Sequence, residues 1–213
     1  LFNALFTSWP SILVAATSRD VSRSTGLALP GLYRAGHRDE AFGPAVQRSL
    51  FLSSLWHSAV CYGITTRVLA APTHSTGRME GLWSESTVAF GCVLATVSGK
   101  LLLEVRGWKV CPHLSGAVLT AVLFAASVWF LSTPHYSKLL AWAGAKIPYI
   151  GAGNTLGIAD HLSTMPIAFA CLIVVPLFAL TPDALWYVTQ RWLAPTTTQV
   201  AQEWEAQKCK GGR

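Results

Sequence analysis

The chain is 213 residues long, 52% hydrophobic and only 12% charged, with a mean hydropathy of +0.41. Soluble domains carry about 25% charged residues, so a water-bathed globule is excluded and a bilayer is the natural solvent. The net charge of +6, which on a soluble domain would point to nucleic acid, reads here as topology and contact with anionic headgroups, and nucleic acid is set aside.

In chain order, Leu1–Ala16 is apolar but short for a bilayer crossing. With no initiator Met and no cleavable leader, it is expected to be the second part of a helix that begins upstream. A polar stretch, Thr17–Arg48, follows with Gly26, Pro30, Gly31 and Gly36 as turn signals. Further apolar runs predict helical spans at about 49–71, 82–103, 114–133 and 161–181, and a polar tail covers 182–213. The links are Pro72–Gly81, the charged connector Glu104–His113, and the longer Pro134–Asp160. No internal repeat and no barrel-like alternation is present, so the fold class is all-α, a polytopic membrane helix bundle.

Lys and Arg placement orients the bundle. If Thr17–Arg48 is cytoplasmic, alternation puts Glu104–His113 and the C-terminal tail on the same side. That side holds 12 of the 16 basic residues, and the other holds Arg67, Arg78, Lys138 and Lys146. The bias predicts a cytoplasmic C-terminus. Trp83, Trp108, Trp129, Trp186, Tyr187 and Trp192 fall near the span ends, where amphipathic rings favour the headgroup zone.

Candidate chemistry is sparse. Cys61, Cys92, Cys111, Cys171 and Cys209 form no CxxC or metal spacing and read as small hydrophobes. His37, His57, His74, His113, His135 and His161 are scattered without metal-ligand spacing. Asp160, His161 and Ser163 do not point at one another on a helix start, and Asp160 is expected to serve as an N-cap. Lys100 and Glu104, four residues apart, are expected to pair at the cytoplasmic interface. Asn3 and Thr7, one turn apart, share a face of their helix, and Pro10 is expected to bend it.

Several segments carry a family resemblance. Leu1–Pro10 resembles the YNVLFTSLP stretch in the sixth membrane helix of type IV P-type ATPases, the phospholipid flippases. Arg19-Asp20-Val21-Ser22, Pro30–His37, Trp56-His57-Ser58, Val97–Glu104 with Trp108, and Leu180–Asp183 with Arg191, Pro195 and Gln202-Glu203 resemble further family stretches in the same order. The sequence departs from them at Trp9, Ser18 and Ser98, and at Thr198-Gln199, where some members have Tyr-His.

The resemblance implies the end of transmembrane helix 6 followed by helices 7 to 10, in a plasma-membrane or Golgi/endosomal protein. It implies phospholipid as substrate, a catalytic N-terminal part of the same protein, and a glycosylated accessory subunit on the exoplasmic links. Asn3 and Thr7 would border the substrate path, and Lys100 and Arg191 would meet a lipid headgroup or a regulatory lipid. No DKTGT phosphorylation motif and no Gly-rich phosphate loop is present, so ATP and Mg2+ are expected on the remainder of the protein and no cofactor here. The alternatives are a non-enzymatic multi-span membrane scaffold or the tail of an ion-transporting relative; the apolar runs lack the acidic residues that cation sites need.

Overall fold

The computed structural model describes residues 6–33, 43–70, 81–105, 110–146 and 156–211, without the side chains of 110–113, 137, 140, 143–146 and 209–211. Among these residues every regular element is helical, and no strand is present. The elements are α1 (Ser8–Thr17), α2 (Arg23–Ala28), a 3-10 turn (Pro30–Tyr33), α3 (Pro44–Ala70) and α4 (Leu82–Glu104). They continue with α5 (Val110–Leu131), α6 (Pro134–Lys146), α7 (Ile158–Ser163), α8 (Pro166–Leu193) and α9 (Thr197–Gly211).

Among the described residues three helices are long and apolar enough to cross a membrane: α4, α5 over Leu114–Leu131, and α8. α3 has the length, but Arg48, Ser53, Ser54, His57, Thr65, Thr66 and Arg67 dilute its apolar content. Large side chains stand exposed along the bundle, among them Phe51, Tyr62, Val122, Ile173, Val174 and Leu177. In water these would be a costly surface; against lipid tails they are the solvated face. Trp83, Trp129 and Trp192 are exposed in the first or last turns of their helices, the positions of interface anchors, and Trp186 is exposed earlier in α8.

α4 is the centre of the arrangement. It packs against α8, α3 and α5, while α1 lies mainly on α5. The core between α3, α4 and α8 is mostly small and β-branched (Val60, Cys61, Val88, Cys92, Ala168, Cys171, Val175 and Ala179), with Leu69 and Met165 as its larger members. Small interfaces let backbones approach, which replaces the hydrophobic drive that lipid does not supply. At Gly91 and Gly99 the approach is close: an added Cβ at Gly91 would lie 2.6 Å from Leu172 of α8 and 2.9 Å from Phe124 of α5, and one at Gly99 would lie 2.5 Å from Leu180 of α8. The three thiols Cys61, Cys92 and Cys171 are free and buried, so they act as small apolar fillers with weak polar contacts. Cys61 Sγ lies 3.4 Å from Thr96 Oγ1, and Cys92 Sγ lies 3.5 Å from the Cys171 carbonyl.

Two proline effects separate the helices from the apolar runs. The run expected at 161–181 is broken at Met165, which is extended (φ −104°, ψ 99°) because it precedes Pro166, itself the first residue of α8. α8 then does not stop at Pro182-Asp183; it carries both Pro176 and Pro182 inside and runs to Leu193. Its 28 residues make a rod of about 42 Å, against about 30 Å of hydrocarbon, so a terminal portion stands beyond the apolar layer. The stretch 134–160, expected as a connector, contains α6 and α7. Asp160 is not the N-cap of α7; Gly157 (φ 75°) holds that position, and Asp160 lies in the first turn. Gly157 N–H donates to the Ser132 carbonyl at 3.2 Å and Ala159 N–H to Ser132 Oγ at 3.0 Å, which pins α7 to the end of α5.

Candidate functional site

Between α3, α4 and α8, half-buried Ser53, His57 and Lys100 converge on one carboxylate. Asp183 Oδ1 accepts from Ser53 Oγ at 3.0 Å and from Lys100 Nζ at 3.3 Å. Its Oδ2 faces His57 Nε2 at 2.5 Å, which requires the imidazole proton on Nε2. Lys100 Nζ also donates to Ser53 Oγ at 2.6 Å. The side chains of His57, Lys100 and Asp183 are 14%, 22% and 24% exposed, so the ion pairs are partly withdrawn from solvent. Beside them Trp56 Nε1 donates to the Ala179 carbonyl at 3.0 Å, and its ring meets Phe178 with centroids 6.1 Å apart. One carboxylate thereby ties three helices together.

This arrangement corrects the expected Lys100–Glu104 pair. Glu104 is exposed at the end of α4, and Lys100 turns across to α3 and α8. The i,i+4 spacing was real, but a partner that also binds His57 and Ser53 offers a less hydrated site and more hydrogen bonds. A groove of about 610 Å³ opens next to the cluster, lined by Ala45, Arg48, Ser49, Trp56, Asp183 and Trp186 among others.

Arg191 lies elsewhere, eight residues further along α8. Its Nε is 3.7 Å from Glu203 Oε1, with both side chains about half exposed, a weak pair in screened solvent. It borders a second groove with Arg19, Asp20, Ser22, Gln202 and Glu205. Here the segment after α1 meets α9: Ser22 N–H donates to Glu205 Oε1 at 3.0 Å, Ser22 Oγ donates to the same oxygen at 2.5 Å, and Gln202 Nε2 donates to the Asp20 carbonyl at 2.7 Å. Hydrogen bonds from Ser22 and Thr25 hold the Glu205 carboxyl below its usual 4.5. Ser22 also caps α2, accepting from Thr25 N–H at 3.3 Å.

Of the expected substrate-path residues, Asn3 lies outside the described residues, and Thr7 is half-buried just before α1 with its carbonyl accepting from Ser11 Oγ at 2.9 Å. Between α4, α5, α7 and α8 lies an apolar cavity of about 610 Å³ with Thr87, Ser98, Thr120 and Ser163 as its polar lining. Among the described residues no group of His, Cys, Asp and Glu is placed to hold a metal ion.

Ser53, His57 and Asp183 were not singled out as Lys100's partners by sequence reasoning, although His57, Lys100 and Asp183 each sit inside one of the family-like stretches. The signal available was that three such stretches, with Asp183 lying 83 residues from Lys100 and 126 from His57, each contribute a polar group at a helix position that would otherwise face lipid. The Arg19–Ser22 and Gln202-Glu203 stretches meet in the second groove in the same way.

The model of the phospholipid-translocating P-type ATPase C-terminal region matches residues 1–196. Phospholipid-transporting ATPase DRS2 of Saccharomyces cerevisiae is 25% identical over 206 residues, covering 95% of this chain and 14% of that protein. Phospholipid-transporting ATPase C887.12 of Schizosaccharomyces pombe is 26% identical over 204 residues, covering 95% of this chain and 15% of that protein. Phospholipid-transporting ATPase VD of Mus musculus is 43% identical over a shorter stretch of 61 residues, 29% of this chain and 4% of that protein. The chain thus spans about one seventh of the length of the first two relatives. Its all-helical bundle, its membrane-crossing helices and the match along 1–196 agree: the chain belongs to the family of phospholipid-translocating P-type ATPases, in their C-terminal membrane region.

Proposed function

We propose that this chain is the C-terminal membrane and support unit of an ATP-driven phospholipid flippase, which moves phospholipid from the exoplasmic to the cytoplasmic leaflet. The observation that carries the reading is the Asp183 cluster. It joins α3, α4 and α8 into one unit through residues taken from three family-like stretches. A unit locked in this way resists deformation, which is what a moving transport helix needs to work against.

The sequence carries no aspartyl-phosphorylation motif and no nucleotide cradle, so the ATP and Mg2+ chemistry belongs to other parts of the protein. α1 is the end of the sixth helix, with Asn3 and Thr7 along the lipid route. The C-terminus is cytoplasmic, supported by the 12 of 16 basic residues on that side. Lys100, whose partner Asp183 borders the first groove, and Arg191, in the second, contact lipid headgroups. Each already faces a carboxylate, Asp183 or Glu203, so an anionic headgroup binds by competing with it. A glycosylated accessory subunit covers the exoplasmic links.

The test is transport by the full-length protein in its membrane. Fluorescent phospholipid uptake that depends on ATP, and that falls several-fold on Asp183→Asn with ATP binding retained, supports the reading. ATP-independent distribution of lipid, or an upstream reading frame without a DKTGT motif, sinks it and leaves the membrane scaffold.

A further inference from the structure

A hydroxyl in the middle of α5 does work that the sequence of α1 makes necessary. In an α-helix the amide of residue 10 would donate to the carbonyl of residue 6, but residue 10 is Pro10, which has no N–H. The backbone opens into a wider, π-type turn at 6–7 just ahead of α1. Phe6 is 7% exposed, so its carbonyl is not offered to bulk water. Thr120, 4% exposed on the facing helix, points Oγ1 at the Phe6 oxygen at 3.1 Å. In lipid, Ser and Thr side chains from neighbouring helices are the means by which a backbone group freed by proline is satisfied again.

The surroundings fit close docking at this point. Gly116, one turn before Thr120, brings α5 against α1: an added Cβ would lie 3.4 Å from the Pro10 Cα and 3.3 Å from Leu13. The Phe6 ring sits edge-on to Phe90 of α4 and Phe124 of α5, with centroids 5.8 Å and 6.4 Å away. Thr120 Oγ1 has a second acceptor, the Gly116 carbonyl of its own helix, also at 3.1 Å. A hydroxyl has one proton. It can therefore leave Phe6 without being stranded, because the ordinary back-bond within α5 receives it. Phe6 has no such reserve from residue 10. The contact is cheap to release on the α5 side.

We propose that Thr120 is a positioning residue for transport, whose hydroxyl replaces the amide that Pro10 lacks and latches the bend of α1 to α5, releasing onto Gly116 when α1 moves. This rests on the reading of α1 as the end of a transport helix. The support unit thus holds α1 at its bend, and by one exchangeable hydrogen bond.

The experiment uses the full-length ATPase in lipid nanodiscs, with Thr120→Val, Thr120→Ser, Pro10→Ala and the Pro10→Ala/Thr120→Val double variant. Two readouts are taken: backbone amide exchange of the peptide covering residues 6–12, and lipid-stimulated ATP turnover against phospholipid concentration. Thr120→Val is expected to speed amide exchange around 6–12 and lower kcat by about three- to twenty-fold, the range that interhelical hydroxyl bonds span in membranes. KM for lipid changes little, and Thr120→Ser restores wild-type behaviour. Pro10→Ala returns an amide to Phe6, so Thr120→Val then has a much smaller effect in that background. An equal effect of Thr120→Val with and without Pro10, or a failure of Thr120→Ser to rescue, overturns the latch. The amide exchange needs no transport, so a protein that moves no lipid refutes the proposed function while the latch is still judged on exchange alone.

Discussion

Asp183 accepts from two helices at once while sitting on a third, and a residue so placed has consequences when its charge is removed. Asp183→Asn keeps the volume but leaves Lys100 and His57 facing a neutral amide. The side chains are about one fifth exposed, between the buried and surface limits, so the expected loss is about 1–3 kcal/mol of stability. Lys100→Met should cost less, because His57 and Ser53 still serve the carboxylate. Thermal unfolding of the full-length protein followed by tryptophan fluorescence checks both, and equal losses for the two variants would mean the carboxylate is not the hub. At this scale the sequence exposed the cation and hid the anion. Lys100 stands out as a charge in an apolar run, and Glu104 is its visible neighbour on the same helix face. Asp183 lies 83 residues away, and no local spacing encodes a contact that only the docking of α4 on α8 creates. Thr120 was silent for the same reason: one hydroxyl in an apolar run is ordinary until Pro10 of another helix is seen against it.

Helix positions followed the apolar runs where those runs were bounded by polar residues, and departed from them where proline decided. α4 at Leu82–Glu104 falls on the run expected at 82–103, because solvent preference and backbone change together at Gly81 and Val105. α8 does not, because Pro166 starts a helix inside the apolar run and Pro182 fails to end one. Pro182 is tolerated where neighbouring donors and water beyond the apolar layer serve the freed carbonyl. The stretch expected only as a polar tail contains α9, which returns to the segment after α1.

That return is acid-sensitive. Hydrogen bonds from Ser22 and Thr25 lower the folded pKa of Glu205 beneath its ordinary 4.5. A lowered carboxyl stabilises the docked form above the ordinary value and loses that contribution as pH falls through the lowered one. Amide exchange of α9 in the full-length protein should therefore be flat from neutral pH to about 5, after correction for intrinsic rates, and rise below about 4.5. Glu205→Gln should show the raised exchange already at neutral pH. A wild-type profile that matches Glu205→Gln throughout would show that the carboxylate does not hold the tail.

Across the whole molecule the parts divide by how they are fastened. α3, α4 and α8 share a core and an ionic hub, whereas α1 packs on α5 around Gly116, the Thr120 hydroxyl and the Phe6 ring. The first set is expected to act as a frame on which α1 can move. The membrane class of this object was plain from composition alone, since no soluble arrangement absorbs so much apolar surface. Which helices form the frame was not, because every apolar run looks alike to lipid and only packing distinguishes them.

The three thiols of the frame turn this division into something that can be timed. Cys61, Cys92 and Cys171 come from three different helices and are walled in by the same core, where a thiol is inert to reagents in water. Under heat or denaturant, a water-soluble maleimide read peptide by peptide in the full-length protein should modify all three with one half-life. That half-life is the waiting time for the frame to open as a unit. Three separate half-lives would mean that α3, α4 and α8 come apart singly, and the frame would be no frame. The frame's own cysteines serve as an unfolding stopwatch that needs no engineered site.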